Sequence, residues 1–222
     1  MTSALIGSHG VIGQSLLDHM NFDLLFNRDN VETLLDYKID QLVIAAPSGA
    51  RLAINKNGAQ DHTDVQQIVF TISQCNIEQI VLFGSVDSVT APDTPYGNNR
   101  QQLESGLTQH GNVTVYRLPT LIGPRIKKNM LFDLKHNQFL DQIDAGARLQ
   151  WCILSDLAQL VQQARPGQIQ NIVSEPIQNK EILQRFRPDV AVHSRPVSLS
   201  YNQQPWTYDR ETIFQAMEDY LK

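Results

Sequence analysis

The stretch "LIGSHGVIG" at residues 5–13 is an apolar run broken by glycines at positions 7, 10 and 13. The residues leading into it, "SALIG" at 3–7, have the short apolar length of a buried strand, and from Val11 onward apolar positions recur every three or four residues. A strand that turns straight into a helix opens a βαβ unit. The alternation continues along the chain. "FDLLF" (22–26), "QLVIAA" (41–46), "QIVLFG" (79–84) and "VTVYRL" (113–118) read as strands, and amphipathic helical segments begin near Asp29, Asp61, Tyr96 and Leu157. This pattern predicts an α/β fold on a parallel sheet. After Gly123-Pro124 the regularity is lost, so the last third is expected to cap the sheet's carboxyl edge.

The bulk properties bound the function. With 222 residues, 41% of them hydrophobic, the chain can bury a substantial core in one domain with a small appended lobe. A net charge of -5 and a pI near 5.6 give no basic stripe for nucleic acid, which is therefore excluded as a partner. No apolar run approaches the roughly 20 residues that cross a bilayer, and the N-terminus has no signal-peptide pattern. No membrane partner and a cytoplasmic location are expected. Cys75 and Cys152 form no metal or disulfide pattern and read as ordinary buried thiols. Histidines at 9, 19, 62, 110, 136 and 193 include no helical pair, so no metal is assigned.

At a strand-to-helix turn the free helix N–H groups attract a pyrophosphate. Gly7 would permit the tight turn, Gly10 would let the backbone approach the phosphates, and Gly13 would let the helix pack against the strand. The spacing is GxxGxxG rather than GxGxxG, and three glycines also occur as plain turn and packing residues. Their place after the first strand favours the nucleotide. An acidic residue closing the second strand would bind the ribose of NAD, but "FDLLFNRDN" ends in Asn27 and Arg28. Arg28 can pair with a 2′-phosphate, which favours NADP(H) while leaving NAD(H) open. The alternative is a solvated Arg28, with Asn27 or Asp29 capping the next helix.

The second informative stretch is "VLFGSVDSVTAPDTPYGNNRQQLE" at 81–104. Ser85 lies just past a strand, and Tyr96 begins a helix after the turn "APDTP". Tyr96 and Arg100 stand four apart, which on a helix brings their Cβ atoms to about 5–6 Å. A fixed cation beside a phenol favours the phenolate, the condition for tyrosine acid–base chemistry. Taken singly, Ser85 reads equally as a turn residue and Tyr96 as a half-buried packing residue.

In order along residues 3–160, "GSHGVIG", "VIAAP", Ser85, "YGNNR", "YRLPTLIGP" and "SDLAQLV" resemble the short-chain dehydrogenase/reductase superfamily in its extended, NAD-dependent epimerase/dehydratase-like branch, which modifies sugar nucleotides. The resemblance implies a Rossmann-like doubly wound parallel sheet over residues 1–160. A small C-terminal substrate lobe would occupy 161–222 and draw on 124–150. It further implies that Gly7, Gly10 and Gly13, with Val11 and Ile12 between them, hold the dinucleotide. Ala46 and Pro47 would flank its adenosine-ribose side, and Pro119 would lie near the nicotinamide. Ser85 and Tyr96 would then bind the reacting oxygen, with Arg100 on the ribose. Arg100 stands where the YxxxK motif has lysine, keeping the charge but not the shape. Only eleven positions separate Ser85 from Tyr96, a trimmed loop for this branch.

In "RIKKNMLFDL" (125–134), Arg125, Lys127 and Lys128 stand at a helix start, an awkward place for cations, and with Asn129 could hold a substrate diphosphate. A solvated basic patch is the alternative. Trp151 in "LQWCILSD" reads as core. The expected activity is NAD(P)-dependent oxidoreduction or epimerisation of a carbonyl or alcohol on a nucleotide-diphosphate sugar. Two other readings stand beside it, a non-catalytic NADP(H)-binding sensor or scaffold and an NADPH-dependent reductase of a small carbonyl or quinone. A homo-oligomer is compatible with either.

Overall fold

The computed structural model of the protein describes residues 1–191 and 193–222. The chain divides into two compact units, Met1–Arg117 with Ser155–Gln170, and Leu118–Leu154 with Asn171–Lys222. The chain thus crosses from one unit to the other after residues 117, 154 and 170. The reason is local: after residue 154 it returns to the first unit to supply a helix and an edge strand.

The first unit contains β1 (Ser3–Ile6), α1 (Val11–Leu17), β2 (Leu24–Phe26), β3 (Gln41–Ile44), α2 (Arg51–Lys56), α3 (Ala59–Ser73), β4 (Gln79–Ser85), α4 (Asp87–Thr90), α5 (Pro95–Thr108), β5 (Val113–Leu118), α7 (Leu157–Gln163) and β9 (Ile169–Asn171). Its sheet runs β2-β1-β3-β4-β5-β9, with β1 parallel to both β2 and β3, and β3 parallel to β4. The strand order reverses between β1 and β3, the switch point beyond whose carboxyl ends open α/β sheets bind ligands. The strands read as continuous apolar runs because both faces are covered. Ala4, Ile6, Leu42, Ile44, Ile80 and Leu82 pack with Val65, Ile68 and Ile72 of α3 and Leu103 and Leu107 of α5. Leu5, Val43 and Val81 point the other way and are equally buried.

The five strands read from the sequence are all present. The helix expected near Asp29 is instead a 3₁₀ turn at Val31–Asp36. Asn27 Oδ1 accepts from the Asp29 N–H (2.7 Å), and Asn30 Oδ1 accepts from the Asn27 N–H (2.7 Å). Such local side-chain bonds offer the backbone an alternative to an α-helix. The short edge strand β9 carries too weak a pattern to be read in advance.

The second unit holds β6 (Thr120–Ile122), α6 (Met130–His136), β7 (Arg148–Leu149), β8 (Trp151–Ile153), β10 (Ile177–Gln178), α8 (Asn179–Phe186) and α9 (Arg210–Leu221). β6 pairs in parallel with β8, and β10 antiparallel with β7. Trp151 is fully buried in its core with Met130, Ile182 and Phe214, as its sequence context suggests. Cys152 is buried and Cys75 half-buried, and neither is in a disulfide among the described residues. Among the described residues, no helix is long and apolar enough to cross a membrane.

In this unit Asp144 Oδ1 accepts from the N–H groups of Gly146 (3.0 Å) and Arg195 (3.1 Å) and from the Ser198 hydroxyl (3.1 Å). Desolvation opposes ionisation of this carboxyl. The bonds from Arg195, Ser198 and Gly146 outweigh it and hold the carboxyl below the usual range. A depressed folded-state value means that the stabilisation is present above about pH 3.9 and is lost as pH falls through the folded value. Hydrogen-exchange protection at the Arg195 and Gly146 amides should therefore persist through the ordinary carboxylate range and collapse only as acidification passes below it. Asp144→Ala should leave both amides unprotected at neutral pH as well. Unchanged protection in the variant would remove Asp144 as the anchor of this segment.

Candidate active site

At the carboxyl end of β1 the chain turns into α1 through Gly7, which has φ +92. A Cβ on Gly7 would lie 2.5 Å from the Ala45 carbonyl oxygen, and one on Gly13 would lie 2.2 Å from the Gly7 oxygen. These two glycines are demanded by the turn and by helix–strand contact. Gly10 is different: its φ is -76, and the nearest atom to an added Cβ is the Gly7 oxygen at 3.3 Å. Gly10 is the N-cap of α1, with no side-chain cap and no acidic residue in the first turn. Val11 and Ile12 follow it and are half-buried.

The loop after β3 carries Ala46, Pro47 and Ser48, and it lies against the same turn through Ala45. The Ser48 carbonyl accepts a hydrogen bond from Arg100 Nη2 at 3.0 Å. Asn27 is taken up in the turn described above. Arg28 remains 61% exposed at its side chain but donates from Nη2 to Asp64 Oδ2 at 2.6 Å.

Ser85 ends β4, and its hydroxyl oxygen accepts from the Asp87 N–H at 3.2 Å. α5 then starts as the sequence "TPYG" dictates. Pro95 occupies the first turn, the Thr94 hydroxyl accepts from the Gly97 N–H (3.1 Å), and Asn55 Oδ1 accepts from the Tyr96 N–H (2.9 Å). The start of α5 is thus capped by protein, whereas the start of α1 is not. The Tyr96 ring is buried, and its hydroxyl makes no hydrogen bond among the described residues.

Arg100 is 4% exposed, and its guanidinium carbon lies 4.6 Å from the centre of the Tyr96 ring. Its Nη2 pairs with Asp61 Oδ1 of α3 at 2.6 Å, while Nη1 is buried without a partner among the described residues. One turn further on, Glu104 is also buried and accepts from Arg117 (2.8 Å) and from the Ser88 hydroxyl (2.8 Å). The structure therefore brings Tyr96 and Arg100 together as their spacing requires. The arginine, however, lies over the ring and is tied to a carboxylate.

Asp61, Asp64 and Glu104 escaped the sequence reading. An acid in the first turn of a helix already has a structural explanation in the helix dipole, so Asp61 gave no separate signal. That Asp61 and Asp64 stand three apart on one helix face was the one available hint.

In the second unit, Pro119 follows β5. Lys127 and Lys128 are exposed and Arg125 is half-buried. Both ends of the Asn129 amide are engaged: Oδ1 accepts from the Phe132 N–H (3.0 Å), and Nδ2 donates to the Leu121 carbonyl (2.9 Å). Asn129 is the cap of α6.

No protein-family model matches the sequence, and no curated protein matches it. Solved structures do. The chain is similar to a UDP-N-acetylglucosamine 4-epimerase from Methanobrevibacter ruminantium M1 in complex with UDP-N-acetylmuramic acid, at 11% identity and a TM-score of 0.73 over 99% of this chain and 96% of that one. It is also similar to the Bordetella bronchiseptica enzyme WbmG in complex with NAD and UDP, at 15% identity and a TM-score of 0.72 over 97% and 87%. A third is the UDP-glucose 4-epimerase of Thermotoga maritima with UDP-glucose, at 10% identity and a TM-score of 0.71 over 94% and 89%. The fold is the Rossmann-like one of these epimerases, in agreement with the resemblance carried by the sequence motifs.

Close packing at Gly13 gives a direct test of the turn. Gly13→Ala should lower stability by about 1–3 kcal/mol, because its methyl group meets backbone that cannot move aside. Gly10→Ala should cost less than about 1 kcal/mol, the usual scale for an N-cap change. Urea denaturation of both variants checks the contrast, and equal losses would count against it.

Proposed function

We propose that the protein binds a pyridine dinucleotide with its pyrophosphate at the Gly7–Gly13 turn and uses it in the oxidoreduction or epimerisation of a nucleotide-diphosphate sugar. The observation that carries this reading is Gly10. Backbone closes Gly7 and Gly13 to any side chain, whereas at Gly10 an added Cβ would meet the Gly7 oxygen at 3.3 Å and the Ala45 oxygen at 3.8 Å, so the milder constraint there chiefly keeps the uncapped start of α1 open. The orphaned Nη1 of Arg100 also fits a bound group that supplies an acceptor oxygen. The neighbours crystallised with NAD and UDP, or with a UDP-sugar, support the same ligand class.

When bound, the nicotinamide supplies or takes up a hydride. The side chains manage the proton and the geometry. In the reducing direction Tyr96 gives its phenolic proton to the carbonyl oxygen as the carbon gains the hydride, and the Ser85 hydroxyl donates to the same oxygen. Ala46 and Pro47 border the adenosine side, and Pro119 the nicotinamide. Arg125, Lys127 and Lys128 serve the substrate diphosphate, while Asn129 shapes the helix start beneath them. A second reading, a dinucleotide-binding protein without turnover, is favoured by one observation: the Arg100 charge is already paired with the buried Asp61 carboxylate.

Fluorescence titration with NADH tests the first reading. The parent protein should bind, and Gly10→Val should stay folded with a modest loss of stability yet fail to bind. Equal affinity in the variant would refute the pyrophosphate assignment. On a panel of UDP-sugars, Tyr96→Phe should keep its affinity for dinucleotide and lose about 10²–10⁴-fold in rate. Binding with no turnover by the parent would select the second reading.

Cofactor preference rests on Arg28. NADPH should bind more tightly than NADH, and Arg28→Ala should erase the difference. The exposed Arg28 would pair with a 2′-phosphate in reach of solvent, so the preference should also weaken with added salt. Equal parent affinities for the two cofactors would remove this role.

A further inference from the structure

We infer that Asp61 is a positioning residue of this site, acting through Arg100 to aim one buried guanidinium nitrogen at an uncharged oxygen of the bound ligand; the inference rests on the dinucleotide reading above. Asp61 is 5% exposed, and both of its carboxylate oxygens are engaged. Oδ1 takes Arg100 Nη2 at 2.6 Å, and Oδ2 takes Asn99 Nδ2 at 2.7 Å. Asn99 also donates to the Gly58 carbonyl at 3.3 Å, so the carboxylate is braced from its own helix start as well as from α5.

The guanidinium is a rigid planar fork, so fixing one nitrogen directs the others. Nη2 is held between Asp61 and the Ser48 carbonyl, the plane lies over the Tyr96 ring, and Nη1 is left as a buried donor without an acceptor among the described residues. A buried unsatisfied donor is costly, and a ligand oxygen would relieve that cost. The Asp61 carboxylate already balances the arginine's charge, so the pair as a whole is neutral and suits a hydroxyl rather than a phosphate. An ammonium in place of the guanidinium would carry all its donors on one rotatable nitrogen, without the second, fixed direction of the planar fork.

The test compares binding of NADH and of ADP, which lacks the nicotinamide half, to the parent, Asp61→Asn, Arg100→Gln and the double variant. If Asp61 works through Arg100, Asp61→Asn should weaken NADH by roughly tenfold, the scale of one hydrogen bond, and leave ADP within about twofold. Arg100→Gln should show the same selective loss, and the double variant should show no further loss. NADH and ADP weakened together would assign Asp61 a purely structural role and overturn the inference. So would parent-like NADH binding in Asp61→Asn, which leaves the dinucleotide reading standing. A parent that binds neither probe overturns both. Should Asp61→Asn fail to fold because its arginine is left unpaired, the charge-balanced double variant carries the comparison: selective loss of NADH supports the inference, and parent affinity overturns it.

Discussion

A charge buried on a helix needs a buried countercharge, and that requirement organises the first unit. α5 buries Arg100 and Glu104 one turn apart, with Asn99 beside them. Each is answered from a different element: Arg100 by Asp61 of α3, Glu104 by Arg117 of β5 and Ser88 of α4. Removing one member of such a pair typically costs about 3–5 kcal/mol, because the remaining charge is left in a medium that cannot solvate it. α5 is therefore fixed in register against three neighbours by paired charges as well as by Leu103 and Leu107. The position of Tyr96 at its first turn is a consequence of that register.

The glycine turn and the arginine are linked by one loop. Ala45, just past β3, presents its carbonyl so close to Gly7 that no side chain fits there, and three residues later Ser48 gives its carbonyl to Arg100. The backbone between 45 and 48 thus touches both the turn proposed for the pyrophosphate and the side chain that lies over Tyr96. The switch point of the sheet supplies the reason. β1 and β3 are neighbours whose following segments diverge, so their loops meet and frame one region. Side chains from α5, far along the sequence, reach it only because β4 lies next to β3.

This geometry explains what could be read in advance. The strands were legible because burial on both faces makes them apolar throughout, and α1, α3, α5 and α7 because their glycines, turns and periodicity are local signals. Tyr96 and Arg100 were legible as a pair because four residues is one helical turn. Their orientation was not. Whether an arginine meets a phenol at its hydroxyl or over its ring depends on a third residue, and Asp61 lies thirty-nine positions away on another helix. The 3₁₀ turn after Arg28 was hidden for the opposite reason, since asparagine side chains bonding their own neighbours overrode an amphipathic pattern. Asn129 read as a substrate contact because a cap declares itself only once the helix boundary is known.

Two of the arginines singled out by the sequence, Arg28 and Arg100, turn out to be held by carboxylates on the same helix, Asp64 and Asp61. The two pairs differ in burial, and burial decides what each can do. Arg28 is mostly exposed and water can solvate it as it leaves Asp64, but the Asp64 carboxylate is buried and would keep only the Gln60 amide. It can turn to a ligand phosphate only at the cost of leaving that carboxylate without its countercharge. Arg100 cannot, because leaving Asp61 would strand both charges in the interior. It can act on a ligand only with the nitrogen that Asp61 does not hold. In this protein, then, the exposed arginine is available for charge recognition, while the buried one can offer only a directed hydrogen bond.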